Sequence, residues 1–278
     1  MERFLLYLII FLLAAQCSFP QDDDDEASNK LKLDEVNIVF KDNDIFSRSE
    51  IYNIIKTGSS EYYNAEEYSI DVQRIEKFYF DNGFIDAFID TSTTINSKKN
   101  EISVSFLITA NSPYLIYKVN YTGLENIPED LRANLFKPED IEILSGDRYT
   151  KSAVALEAGR VLRFLQNNGY AFTSMGPPEI VKYESSNPDL DYKLEVNLKY
   201  NTGARYRFGK TVLDIDNKKY KLDLYEIMYE LEYKEDDIYS KEVLLQSENR
   251  LNSISILENT RIVLTDIDTM NNHIDFKI

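Results

Sequence analysis

The sequence predicts an α+β fold in which a β-α-α-β-β unit occurs three times along a chain of 278 residues. The first observation behind this prediction is an internal repeat, because three segments that begin at Tyr63, Tyr149 and Tyr239 align without gaps. Their spacing of about 90 residues exceeds the ~20–50 residues of solenoid repeats and favours tandem small domains. The second observation is that strand-like segments with alternating apolar residues precede and follow each copy.

Each repeated segment has the features of an amphipathic helix. Apolar residues recur near one face, as Ile70, Ile75 and Phe78 do in the first copy. A polar residue stands at the N-cap position, and Gly or Asn stands where a left-handed C-terminal residue is needed. In chain order these residues are Asn64, Thr150 and Ser240 at the start and Gly83, Gly169 and Asn259 at the end. An arginine also recurs, as Arg74, Arg160 and Arg250. For these arginines and the three initial tyrosines we expect packing at the core edge and surface pairing.

The flanking segments complete the unit with three strands and a shorter helix. The predicted strands are residues 36–40, 84–91 and 101–109 in the first copy, 115–121, 171–183 and 192–199 in the second, and 207–215, 261–267 and 273–278 in the third. The shorter predicted helices are residues 47–56, 127–136 and 222–231, the first capped by Ser47 and ended by Gly58. Each unit can therefore place two helices on one face of a three-stranded mixed sheet.

Composition excludes several classes of function. The formal net charge of −17 and the pI of about 4.6 argue against nucleic acid and against electrostatic docking on anionic lipid. One Cys and one His leave no disulfide framework, thiolate zinc site or multi-histidine metal site. Acidic pairs such as Glu66-Glu67 and Asp236-Asp237 fit solvated faces of an acidic chain, and His273 fits a surface or interdomain position. We therefore expect no enzyme, no cofactor and no metal.

The N-terminal residues predict export. Residues 4–15 are apolar without interruption, which is too short for a comfortable membrane span and fits the core of a signal peptide over residues 1–17. Cys17 follows this core, so lipidation at Cys17 is an alternative to simple cleavage nearby. Residues 18–34 contain the acidic block Asp22–Glu26 and are interpreted as a flexible leader, which would be a tether if Cys17 carried lipid.

The repeat resembles the POTRA (polypeptide-transport-associated) domain of outer-membrane β-barrel assembly factors. The residues that carry the resemblance are FKDNDIFSRSEI at 40–51, FYFDNGF at 78–84, FLQNNGY at 164–170, and the connections NSPYLIY at 111–117 and NTGARYRF at 201–208. The third copy departs from the pattern, since Asn259-Thr260 replaces Gly-Tyr. The resemblance implies three POTRA-like domains at residues 35–110, 111–200 and 201–278.

The resemblance also implies a function and a cellular location. It predicts an exported protein of the periplasm or outer membrane of a Gram-negative-type bacterium. Its partners would be unfolded outer-membrane proteins or accessory lipoproteins, with a β-barrel domain in cis or in trans, and it would approach the membrane only through a tether or barrel. A free-standing periplasmic scaffold that recruits cell-envelope or division proteins is the alternative.

Binding is expected by β-augmentation, in which an extended peptide pairs with an exposed sheet edge. The expected edge lies in the strand after the first long helix and comprises Phe84, Ile85, Asp86, Ala87, Phe88 and Ile89. The alternative is that this strand is paired and covered, and that its alternating apolar residues pack in the core.

Overall fold

The computed structural model describes residues 30–183, 188–213, 224–254 and 259–278. These residues form a mixed α+β fold with three separate sheets, and helices accompany each sheet. Each sheet has its own cluster of buried apolar residues. We call each sheet with its helices a unit. The predicted signal peptide, Cys17 and the acidic block lie outside the described residues.

The first unit consists of β1 (Lys32–Phe40), α1 (Arg48–Tyr52), α2 (Ala65–Asp81), β2 (Phe88–Asn96) and β3 (Glu101–Thr109). The strand order is β1-β3-β2, with β3 parallel to β1 and antiparallel to β2. Every second residue of β3 is buried, which gives this central strand one face toward the core. The buried residues of β3 are Ile102, Val104, Phe106 and Ile108.

The second unit has the same order of elements, with an edge that is split in two. Its elements are β4 (Leu115–Thr122), α3 (Glu129–Leu135), α4 (Lys151–Asn167), β5 (Ser174–Met175), β6 (Glu179–Lys182) and β7 (Lys193–Asn201). The central strand β7 runs parallel to β4 and antiparallel to both β5 and β6. Gly176-Pro177-Pro178 separates β5 from β6, because proline lacks the N–H that a ladder requires.

The third unit is formed by β8 (Arg207–Val212), α5 (Leu224–Tyr229), α6 (Lys241–Ser253), β9 (Val263–Asp268) and β10 (His273–Lys277). Its strand order is β8-β10-β9, again with a central strand that is parallel to one neighbour and antiparallel to the other. Its core includes a stacked pair of rings, Phe208 and Tyr233, with centroids 3.9 Å apart.

The predicted N-caps of the helices are confirmed. The side chains of Asn64, Thr150 and Ser240 each accept hydrogen bonds from backbone N–H groups of the helix that follows. Ser47 and Glu50 form a capping box at α1. Gly83 and Gly169, which follow α2 and α4, have positive φ as predicted from their residue type. The prediction that Asn259 ends the third long helix was wrong, because α6 ends at Ser253, although Asn259 also has positive φ.

Several element boundaries differ from the predictions. β1 begins at Lys32, inside the segment interpreted as leader, because Lys32 N donates to Asn100 O and Leu33 N donates to Glu61 O. Helix α1 ends at Tyr52 rather than near residue 56. In the second unit, one predicted strand over 171–183 is two short strands with the two prolines between them.

A buried polar residue at the same position of each repeat ties the long helix to the loop before it. Asp71 accepts hydrogen bonds from the N–H groups of Lys56 and Thr57, and Glu157 accepts one from the N–H of Glu142. In the third unit Ser247 Oγ accepts one from Glu232 N. All three side chains are fully buried. The sequence analysis missed this position, because its residue type changes from Asp to Glu to Ser.

The recurring arginines pair with acidic residues, as expected. Arg74 bonds to Asp71 and Glu67, Arg160 bonds to Glu157, and Arg250 bonds to Glu230 and Glu232. Burial raises the pKa of Asp71 and Glu157, but the hydrogen bonds that these carboxylates receive outweigh burial. The pKa of each therefore lies below its ordinary value, and both remain ionised at neutral pH.

Candidate functional site

The predicted strand at residues 84–91 begins four residues later than expected. Gly83 ends α2 in a left-handed conformation, and Phe84 to Ala87 then form a turn in which Ala87 N donates to Phe84 O. The side chain of Phe84 enters the core against Phe46 and Tyr79. The prediction that Phe84, Ile85, Asp86 and Ala87 lie in an edge strand was therefore wrong. Phe88 and Ile89 do lie in β2.

β2 is nevertheless an open edge of the first sheet, whereas at the other edge, β1, the side chains of Tyr52 and Arg48 donate to Val36 O and Ile38 O. Among the residues that the structure describes, β2 pairs only with β3. It is nine residues long, contains no proline, and buries only Ile89. Phe88 and Ile95 are more than half exposed. A long exposed edge of this kind presents unpaired backbone groups that can template another strand.

The hydrogen bonds indicate which backbone groups of β2 face outward. Ile108 O accepts from Lys41 N on the β1 side, so the alternate residues of β3, such as Leu107 and Thr109, direct their backbone groups to β2. Their partners in β2 are Asp90 and Phe88, which leaves Thr91 and Thr93 with backbone groups on the open side. Consistent with this, Thr91 N donates to Asp90 Oδ1 at 2.8 Å.

A groove runs between this edge and the long helix α2. One part, of about 290 Å³, is lined by residues that include Tyr68, Val72, Ile89 and Thr91. A second part, of about 520 Å³, extends toward the second unit and includes Phe80, Ile85, Ala87 and Lys151 among its lining residues. Gln73 lines both parts. A strand added beside β2 would thus have a groove of mixed polar and apolar lining for alternate side chains.

The edges of the other two units differ from β2. In the second unit the edge is divided by Pro177 and Pro178, which cannot donate to an added strand. In the third unit β9 occupies the edge, and its Val263 and Leu264 are exposed. β9 has six residues against the nine of β2. Of the described edges formed by strands that follow a long helix, β2 therefore offers the longest uninterrupted ladder.

Asp86, which was predicted to lie in the edge strand, joins the first unit to the second. Its Oδ2 accepts from Tyr114 Oη at 2.6 Å, and its Oδ1 accepts from Lys182 Nζ at 2.7 Å. Its carbonyl accepts from Asn111 Nδ2 at 2.7 Å. Burial raises the pKa of Asp86, but the bonds from Lys182 and Tyr114 outweigh burial and leave this pKa below its ordinary value.

Replacing Lys182 by methionine is expected to raise the pKa of Asp86 toward its ordinary value, because the strongest stabilising partner of the carboxylate is lost. A carbon-13 carboxyl titration by NMR measures this shift directly. The loss of stability should stay below about 1 kcal/mol, since both side chains of the pair are partly exposed. Lys199→Met, at an exposed lysine of the same unit, is the control, and an unchanged pKa of Asp86 in Lys182→Met would contradict the assignment.

The glycine at the end of each of the first two long helices also contacts the following unit. Gly83 O accepts from Tyr114 N at 2.8 Å, and Gly169 O accepts from Tyr206 N at 2.7 Å. A Cβ added at Gly83 would lie 2.3 Å from Tyr149 O. Gly83 and Gly169 therefore each end a long helix and also hydrogen-bond to the next unit. We call each such connection a joint.

The other residues singled out from the sequence, among them His273 and the pair Glu66-Glu67, pair with neighbouring side chains or lie exposed. His273 Nε2 lies 2.8 Å from Asp236 Oδ1 within the third unit. Glu67 bonds to Arg74 beside the exposed Glu66. Nowhere in the described ranges do three or more His, Cys, Asp or Glu side chains gather so as to hold a metal ion. No helix among the described residues is long and apolar enough to cross a bilayer.

The first unit is a small α+β domain with two helices and a three-stranded mixed sheet that has β2 at one edge. Residues 36–111, nearly the whole of this unit, match the family model described as POTRA, the surface antigen variable number repeat. The first unit is therefore a POTRA domain, as the sequence resemblance indicated.

Similarity to known proteins extends beyond residues 36–111. The outer membrane protein assembly factor BamA of Buchnera aphidicola (subsp. Acyrthosiphon pisum, strain APS) is 25% identical over 159 residues, which cover 57% of this chain and 24% of BamA. The matched part thus spans less than a quarter of that relative.

Among solved structures, POTRA domains 3–5 of Haemophilus influenzae BamA are 16% identical, with a TM-score of 0.49. That comparison covers 90% of this chain and 95% of the other. POTRA domains 1–3 of Omp85 from Anabaena are also 16% identical, cover 89% of this chain and 94% of the other, and have a TM-score of 0.38.

Proposed function

We propose that this chain is an array of three tandem POTRA domains, at residues 35–110, 111–200 and 201–278, that binds proteins during outer-membrane β-barrel assembly. Three features support the proposal: the family match over residues 36–111, the recurrence of the same strand order and helix caps, and the similarity to an outer membrane protein assembly factor. The role is binding rather than catalysis, and it is exercised in the periplasm after export.

The binding mode that we propose is β-augmentation on β2. The observation that carries it is the nine-residue, proline-free edge beside a groove along α2. Main-chain hydrogen bonds to the outward groups of Thr91 and Thr93 would supply affinity without requiring a particular side-chain sequence. The groove between α2 and β2 would receive every second side chain of the added strand. Such a surface suits many different extended segments, as a binder of unfolded chains requires.

The partners we propose are unfolded outer-membrane proteins or accessory lipoproteins, together with a β-barrel domain in cis or in trans. The chain is strongly acidic, so neither nucleic acid nor an anionic bilayer fits it electrostatically. Contact with the membrane would come through a tether or through the barrel. The binding residues within the set predicted from the sequence are Phe88 and Ile89, whereas Phe84 to Ala87 position the joint.

Thr93→Pro is expected to abolish binding of an unfolded outer-membrane protein segment to β2 while leaving the domain folded. Proline removes an N–H that faces the open side, so no hydrogen bond to β3 is lost, but an incoming strand loses its donor and meets the ring. Proline at Ala87 or Phe88 would be a poorer test. Ala87 N donates to Phe84 O, and the backbone of Phe88 faces β3.

Fluorescence anisotropy with a labelled extended segment measures the affinity, and circular dichroism reports the fold. Thr93→Ala keeps the N–H and serves as the matched control, with binding expected within about twofold of the unsubstituted chain. If folded Thr93→Pro bound the segment as tightly as Thr93→Ala does, β2 would not be the binding edge.

A further inference from the structure

A pocket of about 430 Å³ lies in the second unit, away from the open edge of the first. It is lined by Tyr121, Leu124, Glu125, Arg132 and Phe136, from the end of β4, the following loop and α3. Its volume falls within the ~300–1,000 Å³ typical of ligand pockets. Unlike the groove beside β2, this pocket combines aromatic walls with a single guanidinium group.

The aromatic walls are held in place by the surrounding structure. The rings of Tyr121 and Phe136 pack edge to face with centroids 4.8 Å apart. Tyr121 Oη donates to the buried carboxylate of Glu157 at 2.6 Å, which fixes the ring orientation. Leu124 is buried in the core of the unit. A bulky apolar group that entered the pocket would therefore meet preformed surfaces.

Arg132 has hydrogen-bonding capacity that the described residues leave unused. Its Nη2 donates to Leu124 O at one end of the guanidinium. Its Nε is shielded from solvent and has no hydrogen-bond partner among the described residues. A buried donor without a partner is costly, and an acceptor supplied by a ligand would reduce that cost if the guanidinium turned toward it.

The charge of the pocket is balanced. Glu125 Oε1 accepts from Gly123 N at 3.0 Å, and hydrogen bonds from backbone N–H groups lower the pKa of Glu125. Glu125 is therefore ionised at neutral pH and offsets the charge of Arg132. A ligand carboxylate would be attracted to Arg132 but repelled by Glu125, whereas an uncharged carbonyl oxygen escapes the repulsion.

We propose that this pocket anchors a partner protein by one bulky apolar side chain together with the neutral backbone carbonyl beside it. The side chain packs against Tyr121, Phe136 and Leu124, and the carbonyl accepts from the Arg132 guanidinium. A single apolar anchor in a preformed pocket is the kind of contact that dominates protein interfaces. The proposal does not depend on the open edge of β2, so the two sites can be tested separately.

The test uses two small probes on the full chain labelled with nitrogen-15. N-acetyl-L-phenylalaninamide has the side chain and neutral carbonyls, and N-acetyl-L-phenylalanine has a carboxylate instead. We expect the amide to shift NMR signals of the end of β4 and of α3, with a dissociation constant of about 1 mM. The acid should bind at least about threefold more weakly because of Glu125.

Two variants and one control make the result decisive. Arg132→Met should weaken amide binding about fivefold or more. Arg163→Met, at an exposed arginine of α4, should leave amide binding unchanged. Glu125→Gln keeps the size of the side chain and should shift the preference toward the acid. The proposal fails if the amide causes no shifts in this region, if the acid binds the unsubstituted chain as tightly as the amide, or if a folded Arg132→Met retains full affinity.

Discussion

Glu157→Ala is expected to destabilise the second unit by about 3–5 kcal/mol, the usual cost of removing one partner of a buried ion pair. The carboxylate is fully buried and accepts from Arg160, Tyr121 Oη and Glu142 N. Alanine would leave all three donors without their acceptor. Hydrogen exchange of the amides of β7, the central strand of the unit, measures the loss within the intact chain.

The matched control for this substitution is Glu179→Ala, at an exposed glutamate of the same unit, which we expect to change stability by less than about 0.5 kcal/mol. A second measurement uses pH. The folded pKa of Glu157 lies below its ordinary value, so its contribution is present above the unfolded pKa and is lost as pH falls through the folded pKa. Glu157→Gln should therefore reduce the acid sensitivity of the unit below about pH 4.5. Equal loss of stability in both alanine variants would show that burial of this carboxylate is unimportant.

Gly83→Ala is expected to weaken the joint between the first and second units as well as the end of α2. A non-glycine residue in the left-handed conformation costs about 1–2 kcal/mol. The new Cβ would also lie 2.3 Å from Tyr149 O, so the second unit must shift, which adds about 1–3 kcal/mol. Because Tyr114 N donates to Gly83 O, faster hydrogen exchange at Tyr114 would report the opening of the joint.

Gly146→Ala separates these two contributions. Gly146 also has a positive φ, but no atom lies within 4 Å of the position of its added Cβ. It should therefore show only the backbone cost, with the exchange rate at Tyr114 unchanged. A Gly83→Ala protein that exchanged Tyr114 as slowly as Gly146→Ala does would show that the glycine serves helix termination alone.

Local features of the fold were predictable because local chemistry decides them. Asn64, Thr150 and Ser240 cap helices through bonds to N–H groups two or three residues away, and Gly83 and Gly169 adopt a conformation that disfavours side chains. The family resemblance rested on the same dipeptides, and the match over residues 36–111 confirms it for the first unit.

The candidate site was predictable only in part. The edge position of β2 follows from the strand order of the unit, but the start of β2 depends on where Phe84 packs. Phe84 is buried against Phe46, which is distant in sequence, and this contact draws residues 84–87 out of the strand. Asp86 likewise acquires its role from Tyr114 and Lys182 of another unit.

The sequence by itself determined the N-caps of the three long helices, the ends of the first two, the mixed α+β character and the acidity of the chain. These properties depend on repeated residue types and on interactions within a few positions. Only the tertiary structure decided which buried carboxylates hold the long helices, which residues join one unit to the next, and which edge remains open. Those properties depend on contacts between residues far apart in the chain, where a buried Glu and a buried Ser can occupy equivalent positions.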